Sequence, residues 1–312
     1  MKIYRDITAA GNIKNPVLTT GTFDGVHIGH RQILTRLIQE AKKINGESVV
    51  LTFWPHPRMV VFPDDHNLKL LNTLQEKAKL LEEFGIDHFI IYPFSKKFSR
   101  LSAEEYVKEI LVDTVAVKKV AVGYDHRFGK NREGDFKQLE QFATQYNFKV
   151  EEIPAEDVDN VNVSSTKIRK ALEAGDVEIA KSFLSYYYFI HAKVIVGQGV
   201  GRTIGFPTAN LLVEDPFKMI PKAGVYAVLV SFNNTEYKGM MNIGFRPTLA
   251  DNKPISLEVH LFDFEEDLYN QELKISFVKR LRDEQKFENI EALQTQLNQD
   301  RINCMQVLGA SN

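Results

Sequence analysis

The sequence predicts an α/β domain with a parallel sheet, followed by a second domain of antiparallel β-structure. In the first part, strand-like runs alternate with helical patterns of about 10–15 residues, which is typical of βαβ units. After about residue 184, short strand-like runs with turn signals follow one another without helices, which favours a barrel or a sandwich. The 312 residues are enough for two domains, and we expect them at 1–184 and 185–312.

Hydrophobic periodicity predicts the individual elements. In the first domain we expect strands at 17–20, 48–53, 88–92, 117–122 and 148–153, and helices at 30–43, 75–84, 103–111, 135–146 and 167–174. In the second we expect strands at 191–196, 225–232, 236–242, 256–262 and 273–278, with a helix closing the chain at 290–305. Asn233 and Asn234 separate two of these strands and predict a hairpin turn.

The composition argues against several classes of protein. The 39 basic and 41 acidic residues nearly balance, so neither a nucleic-acid-binding nor a membrane-binding surface is expected. The single cysteine, Cys304, rules out an intramolecular disulfide and disfavours a cysteine metal site. No signal-peptide pattern opens the sequence and no apolar run approaches the ~18 residues of a membrane helix, so a cytoplasmic protein is expected. The oligomeric state is left open.

A glycine-rich run from Gly21 to Arg31 joins the first strand to the first helix. The first N–H groups of a helix lack internal partners and favour anions. His27 and His30 share the first turn, so both rings can face the same ligand. The alternative is a tight turn with two surface histidines. Because glycines precede the pair and Gly29 separates it, a bulky anion can approach the backbone, and we favour a phosphate site.

Three more clusters bear on this site. The run 53–57, Phe-Trp-Pro-His-Pro, ends a strand and alone is typical of a stiff loop. Asp125 follows another strand and could reach a ribose or a base edge. The third cluster consists of Ser164, Ser165 and Thr166. Alone it is typical of a helix N-cap, but with Arg169 one turn further it could clamp a leaving pyrophosphate.

The densest cluster of the second domain runs from 197 to 210. It is neither a Walker A loop nor a G-x-G-x-x-G motif, and its glycines alone indicate only a loop. At its end Thr208 and Asn210 alternate along an extended segment, so both oxygens project from one face. Oxygen ligands together with nucleotide phosphates are the usual way to hold Mg²⁺. Further on, Glu258 shares a strand face with His260, which alone fits a solvent-facing carboxylate.

These runs resemble motifs of the bacterial bifunctional riboflavin kinase/FAD synthetase family. The similar motifs of the first half are Gly-Thr-Phe-Asp-Gly-Val-His-Ile-Gly-His, Phe-x-Pro-His-Pro, Gly-x-Asp/Asn-Phe-x-Phe-Gly and Ser-Ser-Thr-x-Ile-Arg. Those of the second half are Gly-Arg-Thr-x-Gly-Phe-Pro-Thr-Ala-Asn, Asn-Ile-Gly-x-Arg-Pro-Thr, Glu-x-His-x-x-Asp-Phe and Arg-x-Glu-x-x-Phe. One position departs from the pattern, since His126 stands where the family usually has phenylalanine.

The resemblance implies a Rossmann-like nucleotidyltransferase domain that adenylates FMN to FAD, followed by a barrel with a C-terminal helix that phosphorylates riboflavin. ATP would be the substrate in both reactions and Mg²⁺ the cofactor. In the first domain the implied ATP-binding residues are Gly21, Phe23, Asp24, His27, Gly29, His30, Asp125, Ser164, Ser165, Thr166 and Arg169. In the second domain Gly199, Gly201, Arg202 and Thr203 would bind nucleotide, Thr208 and Asn210 the metal, and Glu258 would be the base. Pro55, Pro57, Arg282 and Phe287 would border the flavins.

The two reactions need different residue types. The FMN phosphate is already anionic, so it needs charge neutralisation rather than a base, and we assign the histidines as phosphate donors. The ribityl hydroxyl of riboflavin is neutral, so a carboxylate that accepts its proton is expected. A flavin- or nucleotide-binding regulator with little turnover is the alternative, although binding alone does not require Glu258. An adenylyltransferase for another small substrate would leave the second half unexplained, and a tRNA synthetase is disfavoured by the short chain and the lack of a basic surface.

Overall fold

The computed structural model describes residues 1–10, 12–64, 68–124, 126–153, 163–197, 201, 204–245 and 255–309. They form two compact units, Met1–Ser165 and Thr166–Asn312. The first unit ends at Ser165, which is earlier in the chain than the boundary predicted near residue 185. Helices α6 (Ser165–Ala174) and α7 (Val177–Leu184) therefore lie almost entirely in the second unit. The backbone N–H of Lys222 donates to Leu172 of α6, which ties that helix to the second unit.

The first unit is built on a parallel sheet, as predicted, and the sheet has six strands. Its strands are β1 (Lys2–Tyr4), β2 (Val17–Thr20), β3 (Ser48–Trp54), β4 (His88–Pro93), β5 (Lys119–Gly123) and β6 (Lys149–Ile153). The helices are α1 (Ile28–Lys43), α2 (Pro57–Val61), α3 (Leu74–Phe84), α4 (Ala103–Tyr106), which continues as a π-helical segment Val107–Thr114, and α5 (Phe136–Tyr146). The short strand β1, which pairs with β4, was not expected from the sequence.

The order of the strands, β1-β4-β3-β2-β5-β6, places β2 between β3 and β5. From β2 the chain builds the sheet first on the β3 side and later on the β5 side, so the direction of winding reverses there. In an open parallel sheet such a reversal creates a crevice beyond the carboxyl ends of the strands, where ligands bind. The loop from Gly21 to His27, which joins β2 to α1, lies at this point.

The second unit is a closed six-stranded antiparallel barrel, which confirms the predicted fold. Its strands are β7 (Phe189–Ile195), β8 (Ala209–Leu212), β9 (Gly224–Phe232), β10 (Thr235–Phe245), β11 (Ile255–Leu261) and β12 (Glu272–Arg282), arranged in the ring β10-β11-β8-β7-β12-β9. The predicted hairpin is present, because Phe232 pairs with Thr235 around Asn233 and Asn234. Both asparagines have positive φ angles, as a two-residue hairpin turn requires.

The two faces of strand β11 have different surroundings. Leu257, Val259 and Leu261 are buried on the face that fills the barrel. The opposite face carries Glu258 and His260. The C-terminal helix α8 (Ile290–Gly309) packs on strands β9, β10 and β12 of the barrel. This contact buries Phe206, Ala227, Met240, Phe262, Val278, Cys304 and Leu308. Among the described residues, no helix is long and apolar enough to cross a membrane.

Candidate active sites

The loop after β2 brings two imidazole rings together at the start of α1. His27 is the N-cap residue, and its Nδ1 accepts a hydrogen bond from the backbone N–H of His30 at 3.3 Å. The two rings stack with a centroid separation of 3.6 Å and an interplanar angle of 14°. Both imidazoles therefore face the same side, as the three-residue spacing predicts.

Burial keeps both histidines neutral near pH 7. It lowers the pKa of His27 to about 4. The pKa of His30 is lowered well below its ordinary value, first by burial and then by repulsion from the protonated form of His27 and from the charge of Lys77. Since the Nδ1 of His27 accepts a hydrogen bond, its Nε2 carries the proton and is a donor. The buried Nδ1 of His30 has no hydrogen-bond partner among the described residues.

Three contacts hold this loop in place. The buried carboxylate of Asp24 accepts hydrogen bonds from the backbone N–H groups of Leu71 and Asn72, at 2.9 and 3.3 Å. Lys77 donates from Nζ to the carbonyl of Thr22 at 2.6 Å. In addition, Ser165 donates to the carbonyl of Asp24 at 2.8 Å. The carboxylate of Asp24 is thus engaged by the protein's own backbone, and its predicted contact with nucleotide stays a prediction.

The glycines of the loop permit close packing. A Cβ at Gly29 would lie 3.2 Å from the side chain of Val163, just before the Ser-Ser-Thr run. A Cβ at Gly21 would lie 3.1 Å from the ring of Phe23, which itself packs against His30 with a centroid separation of 5.1 Å. The loop after β2 and the run at 163–165 are therefore neighbours, as the predicted phosphate site requires.

For the other residues predicted in the first site, the structure gives fewer contacts. Thr52, near the end of β3, donates a hydrogen bond to the carbonyl of Thr22. Two prolines follow that strand, the exposed Pro55 and then Pro57, which is the first residue of α2. Ser164 is half-buried, and Thr166 and Arg169 lie on α6, which crosses the boundary between the units. Asp125 lies outside the described residues. The roles of these residues remain predictions.

His126, the position that departs from the family pattern, packs against Phe128. The two rings stack with centroids 5.9 Å apart. Burial, and to a lesser extent the charge of Arg132, lowers the pKa of His126 to about 4. The histidine is therefore a neutral ring near pH 7, and it occupies its place as an aromatic side chain would.

The second site lies where three barrel strands meet in register. Glu258 on β11 is directly opposite Asn210 on β8 and Asn242 on β10. Directly opposite residues of antiparallel strands project from the same face. Ser256 donates from Oγ to the Oε1 of Glu258 at 3.0 Å and so orients the carboxylate. Glu258 is half-buried rather than fully solvent-facing.

The glycine-rich segment lies against the Pro-Thr-Ala-Asn run. A Cβ at Gly197 would overlap the side-chain amide of Asn210. A Cβ at Gly201 would overlap the carbonyl of Phe206 and lie 3.3 Å from the Oγ1 of Thr208. Glycine is required at both positions, because the backbone approaches the predicted metal ligands closely. Gly199, Arg202 and Thr203 lie outside the described residues.

The oxygen donors of this site suit Mg²⁺. The Thr208 hydroxyl and the Asn210 amide oxygen are hard ligands, and Mg²⁺ is usually held by one or two protein oxygens together with phosphates. Among the described ranges, no three His, Cys, Asp or Glu side chains are grouped as a metal site. Nucleotide phosphates would complete the coordination of an ion held by these two oxygens.

Arg282 has a partner in the fold. Its guanidinium forms a two-pronged ion pair with the buried carboxylate of Asp300 on α8, with an Nη2–Oδ2 distance of 2.7 Å. It also lies over the ring of Phe287, 5.9 Å from the centroid. The contact of Arg282 and Phe287 with flavin stays a prediction, while the ion pair with α8 is a structural role that the sequence did not reveal.

Three residues near the candidate sites are not indicated by the sequence patterns. The helical pattern at 75–84 gives Lys77 no role, although its spacing from Leu74 and Leu81 places it on the apolar face. Asn242 lies in one of the motifs and Ser256 in a predicted strand, but neither pattern indicates a role for them. Their proximity to Glu258 depends on the register between strands, which a single sequence does not give.

The fold and the two sites define a two-domain enzyme of phosphate-transfer chemistry. Residues 10–167 match a family model described as FAD synthetase, and residues 184–308 match one described as riboflavin kinase. The chain belongs to the bifunctional riboflavin kinase/FMN adenylyltransferase family. Most of α6 and α7 lies between the two matched regions.

Individual relatives agree with this assignment. The chain is 39% identical to the bifunctional riboflavin kinase/FMN adenylyltransferase of Pseudomonas fluorescens, over 91% of this chain and 90% of that protein. It is 37% identical to the enzyme of the same description from Escherichia coli K12, over 94% and 93%. A crystal structure described as a macrolide-efflux protein from Streptococcus pneumoniae is similar with a TM-score of 0.85 and 28% identity, over 96% of this chain and 97% of that one.

Proposed function

We propose that the second unit phosphorylates riboflavin with ATP to give FMN, and that the first unit adenylates FMN with a second ATP to give FAD and pyrophosphate. The observation that carries this proposal is the contrast between the two sites. One site contains neutral imidazoles at a helix start, and the other contains a carboxylate oriented beside two amides.

In the kinase reaction, Glu258 is the proposed general base. Its carboxylate accepts the proton of the ribityl hydroxyl as the hydroxyl oxygen attacks the γ-phosphorus of ATP, and ADP leaves. Ser256 holds the carboxylate in place at 3.0 Å. Mg²⁺, held by Thr208 and Asn210, would neutralise charge on the phosphates. Glycine at 197 and 201 lets the loop lie against these two ligands.

In the adenylyl transfer, a phosphate oxygen of FMN attacks the α-phosphorus of ATP and pyrophosphate leaves. The nucleophile is an anion and requires no base. The Nε2–H of His27, the imidazole of His30 and the N–H groups at the start of α1 are the proposed donors to the phosphates. Arg169 and the hydroxyls of 164–166 are proposed to bind the leaving pyrophosphate.

The test is a product analysis. The purified protein is incubated with riboflavin, ATP and Mg²⁺, and flavins are separated by chromatography over time. We expect FMN to appear first and FAD to follow, and FMN supplied alone with ATP to give FAD and pyrophosphate. If neither product forms although riboflavin binds, the protein is a flavin-binding regulator and the proposal is wrong. Since both reactions consume ATP, we also propose that the protein acts in the cytoplasm.

A further inference from the structure

Lys77 is a buried lysine beside the loop that follows β2. It lies on α3 between Leu74 and Leu81, and only 6% of it is exposed. Glu76 and Thr73 form a capping box that fixes the start of this helix. Burying an ammonium group is costly unless the group is paired or hydrogen-bonded. The burial of Lys77 therefore indicates that polar groups nearby stabilise its ammonium group.

The ammonium group interacts with two polar groups of the loop. Its Nζ donates to the carbonyl of Thr22 at 2.6 Å. Burial lowers the pKa of Lys77, whereas the negative charge of Asp24 raises it and so favours the charged form. The carboxylate of Asp24 is itself fixed by the backbone N–H groups of Leu71 and Asn72. The segment 71–77 thus holds the loop at two successive points.

The stretch that follows Thr22 is strained. Phe23, Gly25 and Val26 have φ angles of 46°, 89° and 37°. A left-handed conformation is a genuine outlier for a β-branched residue such as Val26, and it persists only where the surroundings impose it. Because Lys77 attaches to the residue just before this stretch, it fixes the point from which the loop departs toward His27.

Lys77 also supplies charge. The imidazoles of His27 and His30 are neutral near pH 7, so they offer N–H dipoles rather than positive charges. Lys77 lies close enough to His30 for its charge to lower the pKa of that imidazole. A fixed cation behind donors that face an anion stabilises negative charge without having to move during the reaction.

We propose that Lys77 is a positioning residue for FMN adenylylation. Its ammonium fixes the Thr22 carbonyl, and with it the loop that carries the two histidines, and it keeps a positive charge behind the phosphate site. The inference rests on the proposed function of the first unit. It assigns Lys77 no contact with substrate, so the effect of its loss is on turnover more than on the KM for FMN.

The test replaces Lys77 by methionine, which preserves most of the aliphatic stem and removes the charge and the donor. In the Lys77→Met variant of the full chain, kcat for FAD formation from FMN is expected to fall about 100-fold, the scale of a misplaced catalytic group. Riboflavin phosphorylation by the second unit should be unchanged. Lys79→Met is the matched control, because Lys79 is exposed on the same helix, and it should leave both activities unchanged.

A second readout separates positioning from a merely structural role. The titratable groups acting on the His30 imidazole are His27 and Lys77, and Asp24 acts on Lys77. In an NMR titration of labelled histidine, the pKa of His30 is expected to rise in Lys77→Met. Lys77→Arg keeps the charge, so it should retain the low His30 pKa and restore part of kcat.

The proposal is overturned if Lys77→Met keeps near-normal kcat. It is also overturned if Lys77→Arg loses as much activity as Lys77→Met while the His30 titration is the same in both. Should Lys77→Met not fold, as shown by the fluorescence of Trp54, Lys77→Gln replaces it under the same criteria. If the unsubstituted protein itself forms no FAD, the proposed function of the first unit is wrong. If the unsubstituted protein forms FAD and Lys77→Met does so at a near-normal rate, only the inference about Lys77 is wrong.

Discussion

At the level of single residues, Glu258 combines a half-buried position with a fixed orientation. Ser256 holds one carboxylate oxygen, and Asn210 and Asn242 lie opposite on the two neighbouring strands. A carboxylate in such surroundings can accept a proton from a hydroxyl group bound nearby. An ordinary surface glutamate would have neither the orienting hydroxyl nor the flanking amides.

We expect Glu258→Gln to lower the turnover of riboflavin phosphorylation by roughly 10²–10⁴-fold, the range for loss of a general base. Glutamine preserves the size of the side chain and cannot take the proton. The measurement is the initial rate of FMN formation at saturating ATP. Glu236→Gln, at an exposed position of β10, is the matched control and should be silent. Near-normal FMN formation by Glu258→Gln would remove the residue from this role.

Two histidines of the first unit have lowered pKa values, which make its stability depend on pH. The pKa values of His27 and His126 are lowered to about 4, so these side chains stay neutral in the folded protein while the unfolded chain takes up protons below about pH 6.5. The unfolded state then binds more protons, and the free energy of unfolding falls as the pH drops from about 6.5 toward 4.

His126→Phe tests this dependence directly, since the phenyl ring keeps the stacking on Phe128 and does not titrate. Urea unfolding is followed through Trp54, the single tryptophan, which lies at the end of β3 in the first unit. Between pH 7 and pH 5 the variant should lose less stability than the unsubstituted protein, by on the order of 1–2 kcal/mol. An equal loss in both proteins would show that His126 does not contribute.

At the level of secondary-structure elements, an ion pair attaches the C-terminal helix to the barrel. Asp300 on α8 is fully buried, and its carboxylate accepts hydrogen bonds from two nitrogens of Arg282, which lies at the end of β12. Gln296, one turn earlier on the helix, donates to the same carboxylate at 2.9 Å. Loss of one partner from such a pair leaves a charge without compensation, which is more costly than the loss of an exposed pair.

Asp300→Asn is therefore expected to lower the unfolding free energy of the second unit by about 3 kcal/mol. Asp263→Asn is the control, because its pair with Arg301 is exposed at 3.7 Å and should contribute at most about 1 kcal/mol. Hydrogen exchange of the amides in α8 and β12 gives the measurement. Equal protection in the two variants would mean that the buried pair does not hold the helix.

The sequence alone predicts most of the helices and strands. It predicts fewer of the contacts between them. Alternation of strand and helix patterns predicts the parallel sheet, and Asn233 and Asn234 predict the hairpin, because both signals are local. Local patterns do not reveal the three-residue strand β1, which depends on pairing with β4. They also do not reveal the pairing of Arg282 with Asp300 or the burial of Lys77, since both depend on contacts between segments distant in sequence.

At the level of the whole molecule, the two sites are built from separate stretches of chain. The residues proposed for the first site come from the loops after β2 and β3 and from 163–166 with Arg169, and those proposed for the second come from strands β8, β10 and β11 and the glycine-rich segment. Each unit has its own hydrophobic core. A substitution in one site should therefore leave the reaction of the other intact.

The most direct test of this separation is the activity of His30→Ala with each flavin supplied in turn. With FMN and ATP, we expect FAD formation to be abolished, because the variant loses a proposed phosphate donor and its stacking on His27. With riboflavin and ATP, we expect FMN to form at the rate of the unsubstituted protein. Equal loss of both activities would contradict the account, since it would indicate either unfolding of the chain or one site shared by the two reactions.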